Sequence, residues 1–345
     1  MSQSAPAQPT ETIRIPAQEM QQVFYKILLQ QGFQDNKAAR CAEIFTDNSV
    51  DGIYTHGINR FARFVEWIQR GWVKPENGPV RKGGSHALEQ WDGQLGPGPL
   101  NALHATERAM ELARSHGIGC VGLSNTNHWM RGGTYGWKAA RGGFVFIGWT
   151  NTIANMPAWG AVDARLGNNP LVFAIPYGTE AIVMDMALSQ YSYGALEQFK
   201  MKDQPLPVPG GYDAAGKLSS DPSAILDTRR ILPAGYWKGA GLSLLLDLLA
   251  AILSAGSATH EITAREHEYA VSQVFIAMDL SFLQNRTFIQ QTIEQIIQDY
   301  QSSIPEDPAG RITYPGERVL HTRENNLRQG VPVDKVVWDT VQKLS

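Results

Sequence analysis

Residues 117–122 read Gly117-Ile118-Gly119-Cys120-Val121-Gly122, and they decide what kind of α/β protein this is. The spacing is G-x-G-x-x-G. In the common dinucleotide fold that pattern is a strand-to-helix turn, with the pyrophosphate on the helix N-terminus. Here the order is reversed. Leu103, Met110 and Ala113 before it recur at helical spacing, so Gly117 reads as a helix C-cap, and 118–123 reads as a buried strand. The glycines mark a helix-to-strand corner. A nicotinamide cofactor, if one is used, has to bind without a standard Rossmann turn. There is no Walker A motif.

Around that corner, strands and helices alternate. Strands are expected at 144–149, 171–175, 182–186 and 273–278, and helices at 133–141, 191–201 and 242–254. The helix over 242–254 is apolar nearly all round, which places it at the centre. Residues 81–284 are therefore read as a mixed α/β layer. Helices over 16–29, from a cap at Asp35, and from a cap at Thr55 precede it; helices over 285–300, 317–329 and 334–344 follow. A helical unit built from 13–80 and 285–345, hence from both chain ends, is expected to pack on the α/β layer. Residues 72–100 are short extended pieces between glycines and prolines. Residues 203–233 are too long for an ordinary connection and read as a lid or a dimer-contact loop. Residues 1–12 read as a disordered polar tail.

The totals narrow the function. The 345 residues are 43% hydrophobic and 18% charged, with net charge -3, so there is no electrostatic case for nucleic acid or an anionic membrane. No bilayer-spanning run is expected, and the opening residues read as a tail and not as a signal peptide. Cys41 and Cys120 lie in apolar runs and read as small buried hydrophobes of a reducing compartment, the cytoplasm. His260-Glu261 and His267-Glu268 have no metal-ligand spacing and read as a solvated connection; no metal is expected.

The chemistry is read at Tyr54-Thr55-His56-Gly57-Ile58-Asn59-Arg60. With Thr55 as N-cap, His56 falls in the first turn and Arg60 one turn later on the same face, about 6 Å away. An imidazole titrating near neutral pH beside a fixed cation suits a keto acid. The guanidinium grips the carboxylate, and the imidazole protonates the ketone oxygen. The same residues also fit a plain helix start with solvated side chains. A second polar stretch, Asn125 to Gly133, follows the strand end where α/β sheets place ligands. Its Asn127, His128, Trp129 and Arg131 fit a pocket wall, or a capping loop. Tyr236-Trp237-Lys238-Gly239 opens an apolar helix, a natural anion site for cofactor phosphate or substrate carboxylate. Asp185, in an apolar strand, needs a partner: a cation, a His, backbone amides or a ribose hydroxyl.

These segments together resemble the malate/L-lactate dehydrogenase family, whose nicotinamide site is not of Rossmann type. The carriers are THGINRFARF (55–64), HGIGCVGLSNTNHWMRGGTYGW (116–137), WTNTIANMPAWG (149–160), NNPLVFAIP (168–176), VMDMALSQYSYG (183–194), RILPAGYWKGAGLS (230–243) and YPGE (314–317). The resemblance implies an α/β fold outside the Rossmann group, a homodimer, and NADH as cofactor with NADPH as an alternative. It implies that His56 is the proton donor and that Arg60 meets the substrate carboxylate; on that footing Asn127 and His128 of the second polar stretch are expected as further substrate contacts. It puts the cofactor on Ala181, Ile182, Val183, Met184, Asp185, Met186 and Ala187, on Trp237 and Lys238, and on Gly316, Glu317 and Arg318. The HWMRGG and ILPAGYWKG segments point to members that reduce a 2,3-diketo sugar acid at C2. Malate, lactate, ureidoglycolate or a cyclic imino acid are rival substrates on the same machinery, and a sugar-acid binding protein without turnover is a rival of another class.

Overall fold

A computed structural model describes residues 11–344. The chain begins with β1 (Thr12–Ile15), α1 (Ala17–Gln30), α2 (Asp35–Val50), a 3-10 turn at Tyr54–His56, and α3 (Ile58–Gln69). The hairpin β2 (Val80–Ser85) and β3 (Leu88–Asp92) leads through α4 (Gly98–His116) to β4 (Ile118–Thr126). Then come α5 (Gly133–Arg141), β5 (Phe144–Thr150), the small hairpin β6 (Ala154–Pro157) and β7 (Ala164–Gly167), and the hairpin β8 (Leu171–Tyr177) and β9 (Glu180–Met186). An excursion carries α6 (Tyr193–Met201), β10 (Gly211–Tyr212), β11 (Leu218–Ser219) and α7 (Pro222–Thr228). It is followed by α8 (Trp237–Ser254), α9 (Thr259–Ala264) and β12 (Val271–Asp279), then α10 (Ile289–Gln301), α11 (Glu317–Gln329), β13 (Val331–Asp334) and α12 (Lys335–Gln342).

A seven-stranded sheet in the order β2-β3-β4-β12-β5-β8-β9 carries the α/β layer. Only β3 and β4 run parallel; every other pair is antiparallel, so the sheet is mixed. The glycines of 117–122 are packing devices. Gly117 ends α4 with φ +81°, in the left-handed region that glycine tolerates. A Cβ on Gly119 would stand 2.1 Å from the Ala109 carbonyl oxygen of α4, and one on Gly122 would stand 2.1 Å from that of Leu253 on α8. The missing side chains let one helix close on each face of β4. Ala105, Ala109, Val121, Phe146 and Phe275 fill the α4/α5 side, and Trp149, Leu246, Ala250 and Val274 fill the α8 side.

The helical layer has its own core, contributed by both chain ends. Phe24 stacks on Phe61 at 4.0 Å between centroids, and Phe45 meets Phe61 edge-on at 5.1 Å. Val331, Val333, Trp338 and Val341 join this cluster, and β1 pairs with β13 through Ile13↔Val333 and Ile15↔Val331. Val319 and Leu320 of α11 pack on the sheet's core.

Several expectations need correction. The tail expected over 1–12 lies outside the described residues except for its end, and there Thr12 opens β1. Asp35 is the first residue of α2, not its cap, which is Gln34. Residues 203–233 are not a bare loop but carry β10, β11 and α7 around a small core of Leu196, Leu206, Ile225 and Ile231. The helix expected at the centre is α8, and it covers one face of the sheet. It buries Gly239, Ala240, Ser243, Leu246, Ala250 and Ser254. Leu242, Leu244, Leu245, Leu248, Leu249 and Ile252 point outward. Apolar residues on both sides do not distinguish a core helix from one whose second face awaits a partner. At 18 residues and mean hydropathy 1.4, α8 also reaches the length and composition of a membrane span, which the sequence reading had denied to any run.

Candidate active site

The turn that carries His56 is built differently from the expectation. Thr55 does not cap α3. Gly57 is the N-cap, and the Ile58 N–H donates 2.9 Å to Ser49 Oγ on α2. A Cβ on Gly57 would fall 2.2 Å from that hydroxyl. His56 therefore stands one residue ahead of the cap in a 3-10 turn, and Arg60 lies in the first turn of α3. Thr55 Oγ1 reaches His56 Nδ1 at 3.0 Å, and Arg60 Nε reaches the Thr55 carbonyl at 3.4 Å.

His128 completes the site. Its ring stacks on that of His56, 5.6 Å between centroids and 14° between planes. The Met130 N–H donates to His128 Nδ1 at 3.0 Å, so the neutral ring carries its proton on Nε2. Gly98 makes room for this loop at the start of α4; a Cβ there would fall 2.2 Å from the His128 carbonyl oxygen. Trp67 closes another side, 6.2 Å from the His128 ring, with Arg63 over its own ring at 5.5 Å. Asn127 is buried, and its amide nitrogen donates to the carbonyls of Trp72, Leu95 and Gly96. Both its hydrogens are committed to the loop. Asn127 thereby holds the loop that carries His128.

Burial pushes the His56 imidazole down to about 4, with the Arg60 and Arg131 cations adding to the effect. His128 moves the same way, from burial first and then Arg60, His56 and Arg63. Two imidazoles among three guanidiniums thus stay neutral at neutral pH in the free protein. The expectation of an imidazole titrating near neutral pH is corrected on those grounds: burial holds His56 lower. Guanidiniums around two neutral imidazoles favour an anion.

Glu268 is the site residue that the sequence hid. The expectation of a solvated His267-Glu268 pair holds for His267, which is exposed, and fails for Glu268. In the structure the His267 ring lies 4.2 Å from that of Trp72, and Glu268 Oε1 stands 3.9 Å from His128 Nε2. Its other oxygen accepts the Ile153 N–H at 3.1 Å. Burial raises the Glu268 pKa, opposed by the Ile153 amide and by Arg60 and Arg63. Only the rings of His267 and Tyr269 flanking Glu268 could have hinted at this, and their partner Trp72 lies far away in sequence.

The strand named for the cofactor, β9, is one of the sheet's two edges. Along it Ala181 and Val183 face the core, while Ile182, Met184, Met186 and Ala187 are half-buried. Asp185 has the partner that its apolar strand calls for, a backbone amide, although the residue is also reached by solvent. Its Oδ2 accepts the Gly133 N–H at 2.7 Å. Surrounding protein raises its pKa, against the pull of Arg131 and the Gly133 amide, and its exposure limits how far that shift can go. The segment at 316–318 lies beside this strand. The Val183 N–H donates 3.0 Å to Pro315, and a Cβ on Gly316 (φ +93°) would stand 3.2 Å from the Val183 backbone. Gly316 and Arg318 line a cavity of about 240 Å³ with Tyr300 and Tyr314. Glu317 does not line it; its carboxylate pairs with Arg311 and accepts from Gln301 and the Tyr314 N–H. Trp237 and Lys238 are exposed at the start of α8. Their approach is anchored next to the end of β9, where the Ala234 N–H donates 2.8 Å to Leu188.

A short path joins the two halves. The His56 carbonyl accepts from Asn48 Nδ2 at 2.9 Å, and Asn48 Oδ1 accepts from Thr134 Oγ1 at 2.7 Å. Thr134 follows Gly133, whose amide holds Asp185 of β9. Asn48 is fully buried, a polar residue on an apolar helix face, and that was the one signal available for it.

Comparison with known proteins gives a consistent picture. Residues 15–342 match the family described as malate/L-lactate dehydrogenase. The 2,3-diketo-L-gulonate reductase of Salmonella newport (strain SL254) is 41% identical over 333 residues, which cover 96% of this chain and 100% of that protein. The reductase of the same name from Klebsiella pneumoniae (strain 342) is 42% identical over the same shares. Among solved structures, malate dehydrogenase from Entamoeba histolytica superposes with TM-score 0.91 over 97% of this chain and 98% of its own, at 22% identity. Sulfolactate dehydrogenase from Methanocaldococcus jannaschii gives 0.87 over 96% of each chain, at 25% identity. With a whole-length family match and relatives above two-fifths identity added to a mixed sheet without a Rossmann turn, the chain belongs to the malate/L-lactate dehydrogenase family, oxidoreductases that act with a nicotinamide cofactor.

Proposed function

We propose that the protein is an NADH-dependent reductase that converts 2,3-diketo-L-gulonate to 3-dehydro-L-gulonate. The observation that carries this reading is the stacked His56–His128 pair beside Arg60, tied through Asn48 and Thr134 to the exposed edge strand β9. The edge backbone of β9, the close approach of Gly316 and the exposed Trp237 and Lys238 suit an extended dinucleotide. The substrate class rests on the reductases named above.

In this reading the residues at 181–187, 237–238 and 316–318 hold the cofactor, which supplies a hydride to the C2 ketone when bound. Arg60 clamps the C1 carboxylate. That anion offsets the Arg60 charge, a smaller cause than burial of the low His56 pKa, and so favours the protonated ring, which donates to the developing alkoxide. Thr55 Oγ1 at Nδ1 orients the ring. His128, fixed by Met130, offers its Nε2 hydrogen to a neighbouring substrate oxygen.

The test is a panel of 2-oxo acids followed by NADH oxidation, with NADPH in parallel. The diketo sugar acid is expected to give the highest kcat/KM, and a higher value for oxaloacetate or pyruvate would overturn the assignment. Arg60→Lys keeps the charge but loses the two-pronged grip. We expect it to raise the KM for the sugar acid by about 10- to 100-fold, at the scale of a charge-assisted hydrogen bond, and to leave the NADH KM near the parent's. The opposite ranking would move Arg60 to the cofactor.

The reading includes a homodimer. The outward face of α8 lines up six large apolar side chains, more than an isolated monomer usually shows to water. Leu248→Lys puts a charge in that face without touching the buried one. It is expected to yield monomers by light scattering, whereas an unchanged mass would exclude this face. Two unpaired cysteines agree with a cytoplasmic setting.

A further inference from the structure

We propose that Glu268 and His128 together read a hydroxyl of the substrate's polyol chain, and that this pair makes the site prefer a sugar acid to a dicarboxylate. The proposal rests on the substrate class given above and deepens it.

Glu268 is held, not loose. The loop that carries it is clamped where Trp72 lies against His267 at 4.2 Å and against Tyr269 at 6.0 Å with nearly parallel planes. Oε2 is tied to the Ile153 N–H. Oε1 is left facing His128 Nε2 across 3.9 Å. That distance is too long for a hydrogen bond. It is within the span of one oxygen that bonds to both groups at ordinary lengths of about 2.8 Å. The oxygen has to accept from the Nε2 hydrogen, which the Met130 amide fixes, and donate to the carboxylate. A hydroxyl does both at one atom; a ketone or a carboxylate oxygen cannot donate.

Charge sharpens the choice. Arg60 and Arg63 face Glu268 from the helical side, and Arg60 is the group read as the clamp for the acid. A substrate with one carboxylate and a hydroxylated chain meets the cation at one end and Glu268 at the other. A dicarboxylate directs its second charge at the Glu268 carboxylate in a half-buried site, where like charges repel more than in open water.

The experiment compares parent, Glu268→Gln and Glu268→Asp with NADH, using 2,3-diketo-L-gulonate and oxaloacetate. Gln removes the charge and keeps a carbonyl for the Ile153 amide. It is expected to lower kcat/KM for the sugar acid about 10- to 100-fold, mainly through KM, and to raise that for oxaloacetate about tenfold. Asp keeps the charge and loses reach, so the sugar acid suffers while oxaloacetate stays excluded. If the parent prefers the sugar acid and Gln leaves the ratio unchanged, Glu268 only caps Ile153 and the proposal falls alone. If the parent prefers oxaloacetate, the substrate reading falls and takes the proposal with it. Should Gln fail to fold, an unchanged sugar-acid kcat/KM in Asp overturns the proposal.

Discussion

His56→Asn lowers kcat by about 10²- to 10⁴-fold, the usual contribution of a positioned general acid. The variant keeps its fold and its affinity for NADH. The side chain is small enough to stay against His128, and His56 makes its helical-layer contact through its carbonyl, with Asn48. Turnover equal to the parent's would remove His56 from the chemistry. A pH series separates two ways of donating. In the free protein His56 sits at about 4, so the proton-bearing form is lost as pH rises above that. Because kcat/KM reports the free enzyme, it is expected to fall about tenfold per pH unit through the neutral range. The matching limb in kcat should lie at higher pH, since the bound carboxylate offsets Arg60. A flat kcat/KM would instead mean that the neutral ring donates its N–H. The same shift has a stability sign. Above about pH 6.5 both folded and unfolded states leave His56 neutral, and it contributes nothing. As pH falls toward about 4 the unfolded chain takes up a proton that the folded site refuses, and stability drops by roughly 3 kcal/mol. His56→Asn is therefore expected to resist mild acid better than the parent, which also shows that lost turnover is not lost folding.

Much of this was legible from order and spacing. The G-x-G-x-x-G at 117–122 could be dismissed because a helix ends where the fingerprint needs a strand, and the structure gives those glycines a packing reason. The pairing of His56 with Arg60 also follows from local sequence. Its geometry does not, because the group that caps α3 is Ser49, on the preceding helix. Glu268 was out of reach for a related cause. Its environment is made by Trp72 and His128, each more than a hundred residues away, and a charged dipeptide in a polar stretch looks the same in water or in a cleft. Asp185 was half legible: its apolar strand context called for a partner, and the Gly133 amide is one, but the solvent that also reaches it at the sheet's edge could not be read from the strand. With α8 the composition was read correctly and the conclusion was wrong, since hydrophobicity shows that a face leaves water without showing what covers it.

Arg131→Met should be the most destabilising single change near the site, and it tests how the two layers are coupled. Arg131 is buried and paired with Asp51 at the end of α2. Asp51 also takes Arg323 of α11 at 2.8 Å, and Arg323 reaches Asp47 at 2.9 Å. On its other side Arg131 acts on Asp185 of β9. One guanidinium therefore links the helical layer, the loop after β4 and the sheet edge. Removing it leaves Asp51 with one cation and Asp185 with only the Gly133 amide. Breaking one partner from a buried pair typically destabilises by about 3–5 kcal/mol. Because Asp51 keeps Arg323, the lower end is expected, roughly 3 kcal/mol, a drop of about 4 °C in melting midpoint for a chain of this size. Arg323→Met removes a cation that is more than a quarter exposed, and Asp51 keeps Arg131; its loss should stay near 1 kcal/mol or below. Equal losses in the two variants would mean that the ladder is a surface feature and not a joint between layers. Arg131→Met also strips one of the charges that hold His56 down, so the pH limb of kcat/KM should move upward, toward neutrality. An unmoved limb beside a large stability loss would mean that Arg131 braces the site without setting its electrostatics.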